Sequence, residues 1–338
     1  MSTTLKDIAA AAGVSIGTVD RALKNRGRIN PQVAEKIKKI AKEMNYQTNK
    51  IASGLVNSSR KYKIAIILHI MGNDFFDEIL KGIRKAEREI RDYGMSIKIY
   101  SCEDFNAEMQ LENIELALRE NADAIIIVPI NSALIRKKIR ELSKQKFPVV
   151  FLNTYLKRIS AFSSIHCDYF RSGRIGAMLT TLISNNNGRV IAFFPSSVML
   201  GNNSRKEGCQ NYFDTNTECA VLKDIVELTN NADINYKIVR DTLIKEQDVN
   251  CILFCGDSKM GISVLHELKR PIKAVFYDLG KETKQAIKEG KVNVAITQDP
   301  VEQGYMSVYV LFQYFSMGKI PPKEILMDCK IVFKESID

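Results

Sequence analysis

The pattern of apolar and polar positions at the start of the chain predicts three short helices. Thr4-Leu5-Lys6-Asp7 has the form of a capping box, and Gly13 can supply the left-handed residue that ends the first helix. Ser15 can cap a second helix, and Asn30-Pro31 begins a third with proline at the first helical position. The predicted apolar faces are Leu5, Ile8, Ala9 and Ala12; Ile16, Val19, Ala22 and Leu23; and Val33, Ile37, Ile40, Ala41 and Met44.

The spacing of these helices predicts a helix-turn-helix unit, because only Gly13-Val14-Ser15 separates the first two. In such a unit the second helix enters the major groove, where arginine suits guanine and hydroxyls suit phosphates or bases. A three-helix bundle with a solvated basic face is the alternative. Thr4 at the cap of the first helix is a further candidate for DNA contact. The outward positions of the second helix and the arginine beyond it are Ser15, Gly17, Thr18, Arg21, Asn25 and Arg28.

Charge is concentrated in the same part of the chain. The protein has 338 residues and a net charge of +10, and residues 1–62 hold twelve Lys/Arg against four acidic residues. This asymmetry favours a module that binds a polyanion, attached to a nearly neutral body. A solubilising basic tail is the other interpretation of charge alone.

Beyond Tyr62, short apolar strands alternate with amphipathic helices, the pattern of parallel sheets covered by helices. The number of such units is too large for one comfortable sheet, so we expect an α/β body of two lobes. The predicted strands are Lys63–Ile70, Ile97–Tyr100, Ala124–Val128, Val149–Leu152, Arg189–Phe194, Ala220–Val226, Asn250–Cys255, Lys273–Tyr277 and Val294–Thr297.

Polar and aromatic residues follow many of these strands. Ligands of open α/β sheets bind beyond the carboxyl ends of the strands, so these residues predict a site for a small polyhydroxylated molecule. Each residue taken alone could instead cap the helix that follows it. The candidate ligand-binding residues are Asn73, Phe75, Phe76, Asn131, Asn153, Arg205, Asp257, Asp278 and Gln298.

The N-terminal residues resemble the headpiece of the LacI family of bacterial transcription regulators. The resemblance runs without gaps from about Leu5 to Leu55. It implies that Ile16, Gly17 and Arg21 occupy the base-reading positions, although Gly17 has no side chain with which to read a base. The motifs that carry it are Thr4-Leu5-Lys6-Asp7-Ile8-Ala9, Ala12-Gly13-Val14-Ser15, Thr18-Val19, Arg21, Met44-Asn45-Tyr46 and Asn49.

The resemblance also implies a hinge helix after the headpiece. Lys50–Leu55 is too short to be a stable helix alone, and in the family this stretch folds when two copies meet on DNA. Leu55 matches the leucine that enters the minor groove and kinks the duplex. The body resembles the periplasmic sugar-binding-protein fold, and in that resemblance Arg205 matches a ligand-clamping arginine. Cys255-Gly256-Asp257 replaces the family's usual Ala-Asn-Asp.

The sequence therefore predicts a cytoplasmic homodimeric repressor that binds a near-palindromic operator and senses a sugar, with no cofactor, metal or membrane. We expect a headpiece over residues 1–48, a hinge and linker over 49–61, and an effector domain over 62–338. The first lobe would comprise about 62–160 and 299–320, and the second about 161–298 and 321–338. The alternatives are a transport-type solute-binding protein and a non-specific architectural DNA-binding protein. An enzyme is disfavoured, because no phosphate loop or nucleophile motif accompanies the acidic residues.

Overall fold

A computed structural model describes residues 5–23, 29–44, 61–69, 74–102, 106–195, 200–217, 220–229 and 231–337. The chain divides into two units, Met1–Asn57 and Ser58–Asp338. The first unit contains the three predicted helices: α1 (Leu5–Ala12), α2 (Ile16–Leu23) and α3 (Pro31–Glu43). Each helix contributes a fully buried side chain to a common core, namely Ile8, Val19 and Ile37.

One predicted core residue of the first unit lies outside that core. Ile16 was expected on the apolar face of α2, but 48% of it is exposed. It begins α2 directly after the turn, whereas Val19 and Ala22 lie one and two turns further on and are buried. The prediction of Ile16 as a core residue is therefore wrong, and its exposure leaves it available to a partner.

The second unit has two lobes, and the first is built on a parallel six-stranded sheet. Its strands are β1 (Tyr62–His69), β2 (Met95–Cys102), β3 (Ala124–Ile127), β4 (Val149–Leu152), β5 (Ser163–Cys167) and β11 (Ile325–Met327). Their order in the sheet is β11-β5-β4-β3-β1-β2. The helices are α4 (Asp74–Ile90), α5 (Ala107–Arg119), α6 (Ala133–Lys144) and α12 (Pro300–Met317).

The second lobe has another six-stranded sheet. Its strands are β6 (Arg189–Pro195), β7 (Val221–Leu228), β8 (Cys251–Phe254), β9 (Lys273–Tyr277), β10 (Val294–Thr297) and β12 (Lys330–Val332). Their order is β12-β10-β9-β8-β6-β7, in which β12 is antiparallel to β10 and the other pairs are parallel. Its helices are α7 (Tyr169–Ile183), α8 (Leu200–Thr215), α9 (Ala232–Lys245), α10 (Ser258–Glu267) and α11 (Lys281–Lys288).

The chain crosses between the lobes three times: after β5, after β10, and between β11 and β12. The two-lobed α/β prediction is confirmed, but the crossings differ from the expected boundaries near residues 160 and 320. Both β5 and β11 belong to the first sheet, and neither they nor β12 were predicted. β5 mixes Ser163, Ser164 and His166 with apolar residues although all five positions are buried, so it lacks an apolar run. β11 and β12 have only three residues each.

Close contact between helix backbones fixes the helix that carries Arg205. A Cβ at Gly173 of α7 would lie 1.9 Å from the Arg205 carbonyl oxygen of α8. In the first lobe, a Cβ at Gly82 of α4 would lie 1.9 Å from the carbonyl oxygen of Val301 in α12. Glycine is therefore required at both positions. The close contact between α7 and α8 fixes the position of Arg205 within the second lobe. Among the described helices, none has the length and apolar character needed to span a membrane.

Candidate functional site

Arg205 is the centre of a buried polar cluster. Only 3% of the residue is exposed, and its guanidinium carbon lies 4.2 Å from the ring centre of Tyr277 and 5.0 Å from that of Tyr169. Arg205 Nη1 donates a hydrogen bond to Cys255 Sγ at 3.1 Å. Within the described part of the chain, Arg205 Nε has no hydrogen-bond partner. The two rings thus hold a rigid cation that retains an unused donor, as a binding arginine requires.

Asp278 and Gln298 extend this cluster at the carboxyl ends of β9 and β10. Gln298 Nε2 donates to Asp278 Oδ1 at 3.4 Å, and Gln298 is itself buried. Burial raises the pKa of Asp278, while the positive charge of Arg205 opposes that rise. Asp278 has a left-handed backbone, with φ of 66°. A carboxylate acceptor, an amide and a guanidinium are therefore placed side by side, which suits hydroxyl groups.

Tyr169 links the cluster to the first lobe. It begins α7, and its hydroxyl donates to the backbone oxygen of Asn153, the buried residue that follows β4. Burial raises the pKa of Tyr169 well above its usual value, so the hydroxyl remains a donor. Four predicted residues, Asn153, Arg205, Asp278 and Gln298, therefore belong to one chain of contacts that joins the lobes.

The other predicted ligand residues have local contacts. Asp257 is exposed and caps α10 by accepting a hydrogen bond from Met260 N at 3.2 Å. Asn131 Oδ1 accepts a hydrogen bond from Arg136 Nη1 at 2.9 Å. Phe75 and Phe76 are buried at the start of α4, with ring centres 5.5 Å apart, in the apolar core of the first lobe. Asn73 lies outside the described residues.

The sequence reasoning missed three members of the cluster: Tyr169, Tyr277 and Cys255. Tyr277 directly precedes Asp278, and Tyr169 follows Asp168, the residue that caps α7. Its position beside a predicted strand-end acid was the available signal for Tyr277, whereas Tyr169 follows β5, a strand that was not predicted. No such signal distinguishes Cys255, because it follows β8 as part of an apolar run.

The exposed face of α2 forms the second candidate site, in the other unit. Ser15 caps the helix, with its Oγ accepting from Thr18 N at 3.2 Å and lying 2.9 Å from Thr18 Oγ1. Arg21 Nε donates to the Gly17 carbonyl oxygen at 3.0 Å. Ile16, Gly17 and Arg21 are all exposed there. Thr4, Asn25, Arg28 and Leu55 lie outside the described residues.

Comparison with known proteins explains both units. Residues 4–49 match the family described as bacterial regulatory proteins, lacI family, and residues 64–320 match the periplasmic binding protein domain. The chain belongs to the LacI family. It is 23% identical to catabolite control protein A of Priestia megaterium, over 99% of both chains. It is 30% identical to the ribose operon repressor of Bacillus subtilis (strain 168), over 48% of this chain and 46% of that one.

A solved structure shares the fold of the body. The glucose-galactose binding protein GanP from Geobacillus stearothermophilus superposes with a TM-score of 0.72 at 19% identity, covering 82% of this chain and 98% of that one. The match to the LacI family and the relatives above make this chain a DNA-binding transcription regulator. The match over residues 64–320 identifies its body as a periplasmic binding protein domain.

Proposed function

We propose that this regulator senses a sugar or sugar derivative between its lobes. The observation that carries the proposal is the buried Arg205, which lies against two tyrosine rings and has Asp278 and Gln298 beside it. Among the described residues, its Nε has no hydrogen-bond partner. Hydroxyl groups can accept from the guanidinium and donate to the carboxylate, while aromatic faces pack on the C–H side of a sugar ring. The first lobe would add ligand contacts through Asn131, Asn153, Phe75 and Phe76. The second lobe would add a ligand contact through Asp257. Asn73 completes this proposed ligand set.

The headpiece is proposed to bind a near-palindromic operator as a homodimer in the cytoplasm, because a two-fold protein matches a two-fold site. Ile16, Gly17 and Arg21 would face base edges, whereas Ser15, Thr18 and Arg28 would contact phosphates. Thr4 and Asn25 would contribute further contacts at the ends of this surface. Paired hinge segments would insert Leu55 into the minor groove and bend the operator.

The regulator is proposed to act by binding alone. Ligand would change the angle between the lobes, and that change would alter how the two hinge segments pair on DNA. The proposed headpiece comprises residues 1–48, and the proposed hinge and linker comprise residues 49–61, as expected from the sequence. No cofactor or catalytic step is needed in it.

A thermal-shift screen of the full chain against monosaccharides, sugar phosphates and purines tests the ligand class. A ligand at 100 times its Kd stabilises the folded state by about 2.7 kcal/mol, which corresponds to a shift of roughly 5–10 °C. Arg205→Lys keeps the charge but loses the planar contact with Tyr277, so we expect it to remove most of that shift. The control is Lys206→Gln at the neighbouring position of α8, where the exposed Lys206 pairs with Glu227. A screen in which only purines stabilise the protein would overturn the sugar proposal.

A further inference from the structure

Two cysteines lie where the chain crosses between the lobes. Cys167 ends β5, directly before the first crossing, and Cys329 lies between β11 and β12, in the third. Gln298 follows β10 in the second crossing. The proposed DNA and ligand sites require neither thiol. The position of the two cysteines at the hinge therefore needs a separate explanation.

Direct contacts connect the three crossings. Cys167 Sγ donates a hydrogen bond to Gln298 Oε1 at 3.2 Å. The thiols of Cys167 and Cys329 lie close enough for each to shift the pKa of the other. The strand register brings the two segments together, because Met327, the last residue of β11, pairs with Cys167 of β5. Cys329 follows Met327 by two residues, in the short connection to β12. The two thiols are therefore adjacent across the hinge.

The two thiols differ in pKa and in exposure. The neighbouring Cys167 thiol lowers the pKa of Cys329 to about 6 against the effect of burial, and Arg205 contributes in the same direction. Cys329 is partly exposed, whereas Cys167 is fully buried. Burial raises the pKa of Cys167 well above its usual value. An accessible thiolate beside a second thiol is the arrangement found in redox-sensitive cysteine pairs.

We propose that Cys329 and Cys167 form a peroxide-sensitive pair whose disulfide locks the interlobe hinge. In the first step, the Cys329 thiolate attacks one oxygen of hydrogen peroxide, the O–O bond breaks, and the hydroxide released takes up a proton to become water. In the second, Cys167 gives up its proton and attacks the sulfur of the Cys329 sulfenic acid; the S–O bond breaks and a second water leaves. Two thiols lose two electrons in total, and one peroxide becomes two waters.

The disulfide would join the first crossing to the third. A covalent link there restricts rotation of one lobe against the other, so it would hold the hinge in the arrangement described. The chemistry of the pair rests on the position, exposure and pKa of the two thiols, and not on the proposed function. Only its consequence, a loss of ligand-dependent change in operator affinity, depends on the proposed function.

Peptide mapping of the full-length protein tests the chemistry directly. Reduced protein is treated with hydrogen peroxide, its remaining thiols are blocked, and non-reducing digestion is followed by mass spectrometry. We expect a loss of two of the seven thiols, a linked Cys167–Cys329 peptide, and a melting temperature higher by roughly 5–10 °C that a dithiol reductant reverses. Alkylation of Cys329 in untreated protein should have a pH midpoint of about 6.

Variants separate the roles of the two residues. Cys329→Ser should resist peroxide, whereas Cys167→Ser should accumulate a sulfenic acid on Cys329 that dimedone captures. Cys209→Ala, which removes a buried thiol from the core of the second lobe, is the control and should still form the linked peptide. Linked peptides that exclude Cys329, or thiol loss unchanged in Cys329→Ser, would overturn the pair. A correct disulfide with unaltered ligand-dependent operator affinity would instead contradict only the locking role.

Discussion

At the scale of single residues, Gly17 is informative because the fold does not require it. A Cβ at this position would meet only Arg21 Nη2 at 3.7 Å and Ser15 Oγ at 3.9 Å. A glycine inside a helix costs about 0.5–1 kcal/mol relative to alanine. We therefore expect Gly17→Ala to stabilise the headpiece by about that amount, measured by thermal or denaturant unfolding. If position 17 faces the bases as proposed, operator affinity should change as well. If Gly17→Ala and the unaltered protein bind every operator variant with equal affinity, the placement of Gly17 at the DNA is contradicted.

Arg21→Ala at the same face is the matched comparison for Gly17→Ala. Arg21 is exposed, and among the described residues its one hydrogen bond is to Gly17 of its own helix, so its removal should leave headpiece stability nearly unchanged. If Arg21 reads a guanine, discrimination at one base pair should fall by about 1–3 kcal/mol. A uniform loss across all sequences, with a shallower salt dependence, would instead support the non-specific architectural alternative.

At the scale of elements, one helix is capped from the opposite lobe. The N-cap position of α11 is Gly280, which supplies no side chain, and Asp74 Oδ2 of α4 accepts a hydrogen bond from Lys281 N at 2.9 Å. A Cβ at Gly280 would lie 2.3 Å from Asp74 Oδ2, so glycine permits this approach. The bond therefore stabilises α11 and the contact between the lobes together.

Asp74→Ala should separate these two effects. Loss of an N-cap costs about 0.5–2 kcal/mol. If lobe contact is coupled to ligand binding, the same loss should weaken ligand affinity by roughly 2–30-fold in calorimetric titration. Asn231→Ala is the control, because Asn231 caps α9 within the second lobe by accepting from Ile234 N at 3.0 Å. We expect the control to lose similar stability and keep its ligand affinity; equal losses of affinity in both variants would contradict a role for lobe contact.

The sequence predicted the elements whose periodicity is strong and missed those set by tertiary contacts. Val149–Leu152 was predicted with its exact bounds because it is a continuous apolar run. β5 was missed because burial at the sheet, not composition, makes Ser163–Cys167 a strand. In the site, Arg205 and Asp278 were predictable from positions after strands. The position of Tyr277 beside Asp278 was a signal, but its contact with Arg205 was not predictable, because that contact forms only once β9 and α8 are packed together.

At the scale of the whole molecule, a regulator of this kind requires that one binding event alter another. The proposed ligand site and the proposed operator-binding face belong to different units of the chain, so any interaction between them is an energy of coupling between sites. Thermodynamic linkage makes that coupling reciprocal: a ligand that weakens operator binding must itself bind less tightly when operator is present. This requirement can be checked without knowing the direction of the effect.

We expect a ligand found by the thermal-shift screen to change operator affinity by roughly 5–150-fold, the effect of about 1–3 kcal/mol of coupling. Fluorescence titration of operator with and without ligand measures one side, and calorimetric titration of ligand with and without operator measures the other. The two factors should agree. Leu55→Ala should lower operator affinity and reduce DNA bending while leaving ligand affinity in the absence of DNA unchanged, because the proposed wedge contacts only the duplex. Identical operator affinity with every ligand that stabilises the protein would show that the two units work independently, which no ligand-controlled regulator could do.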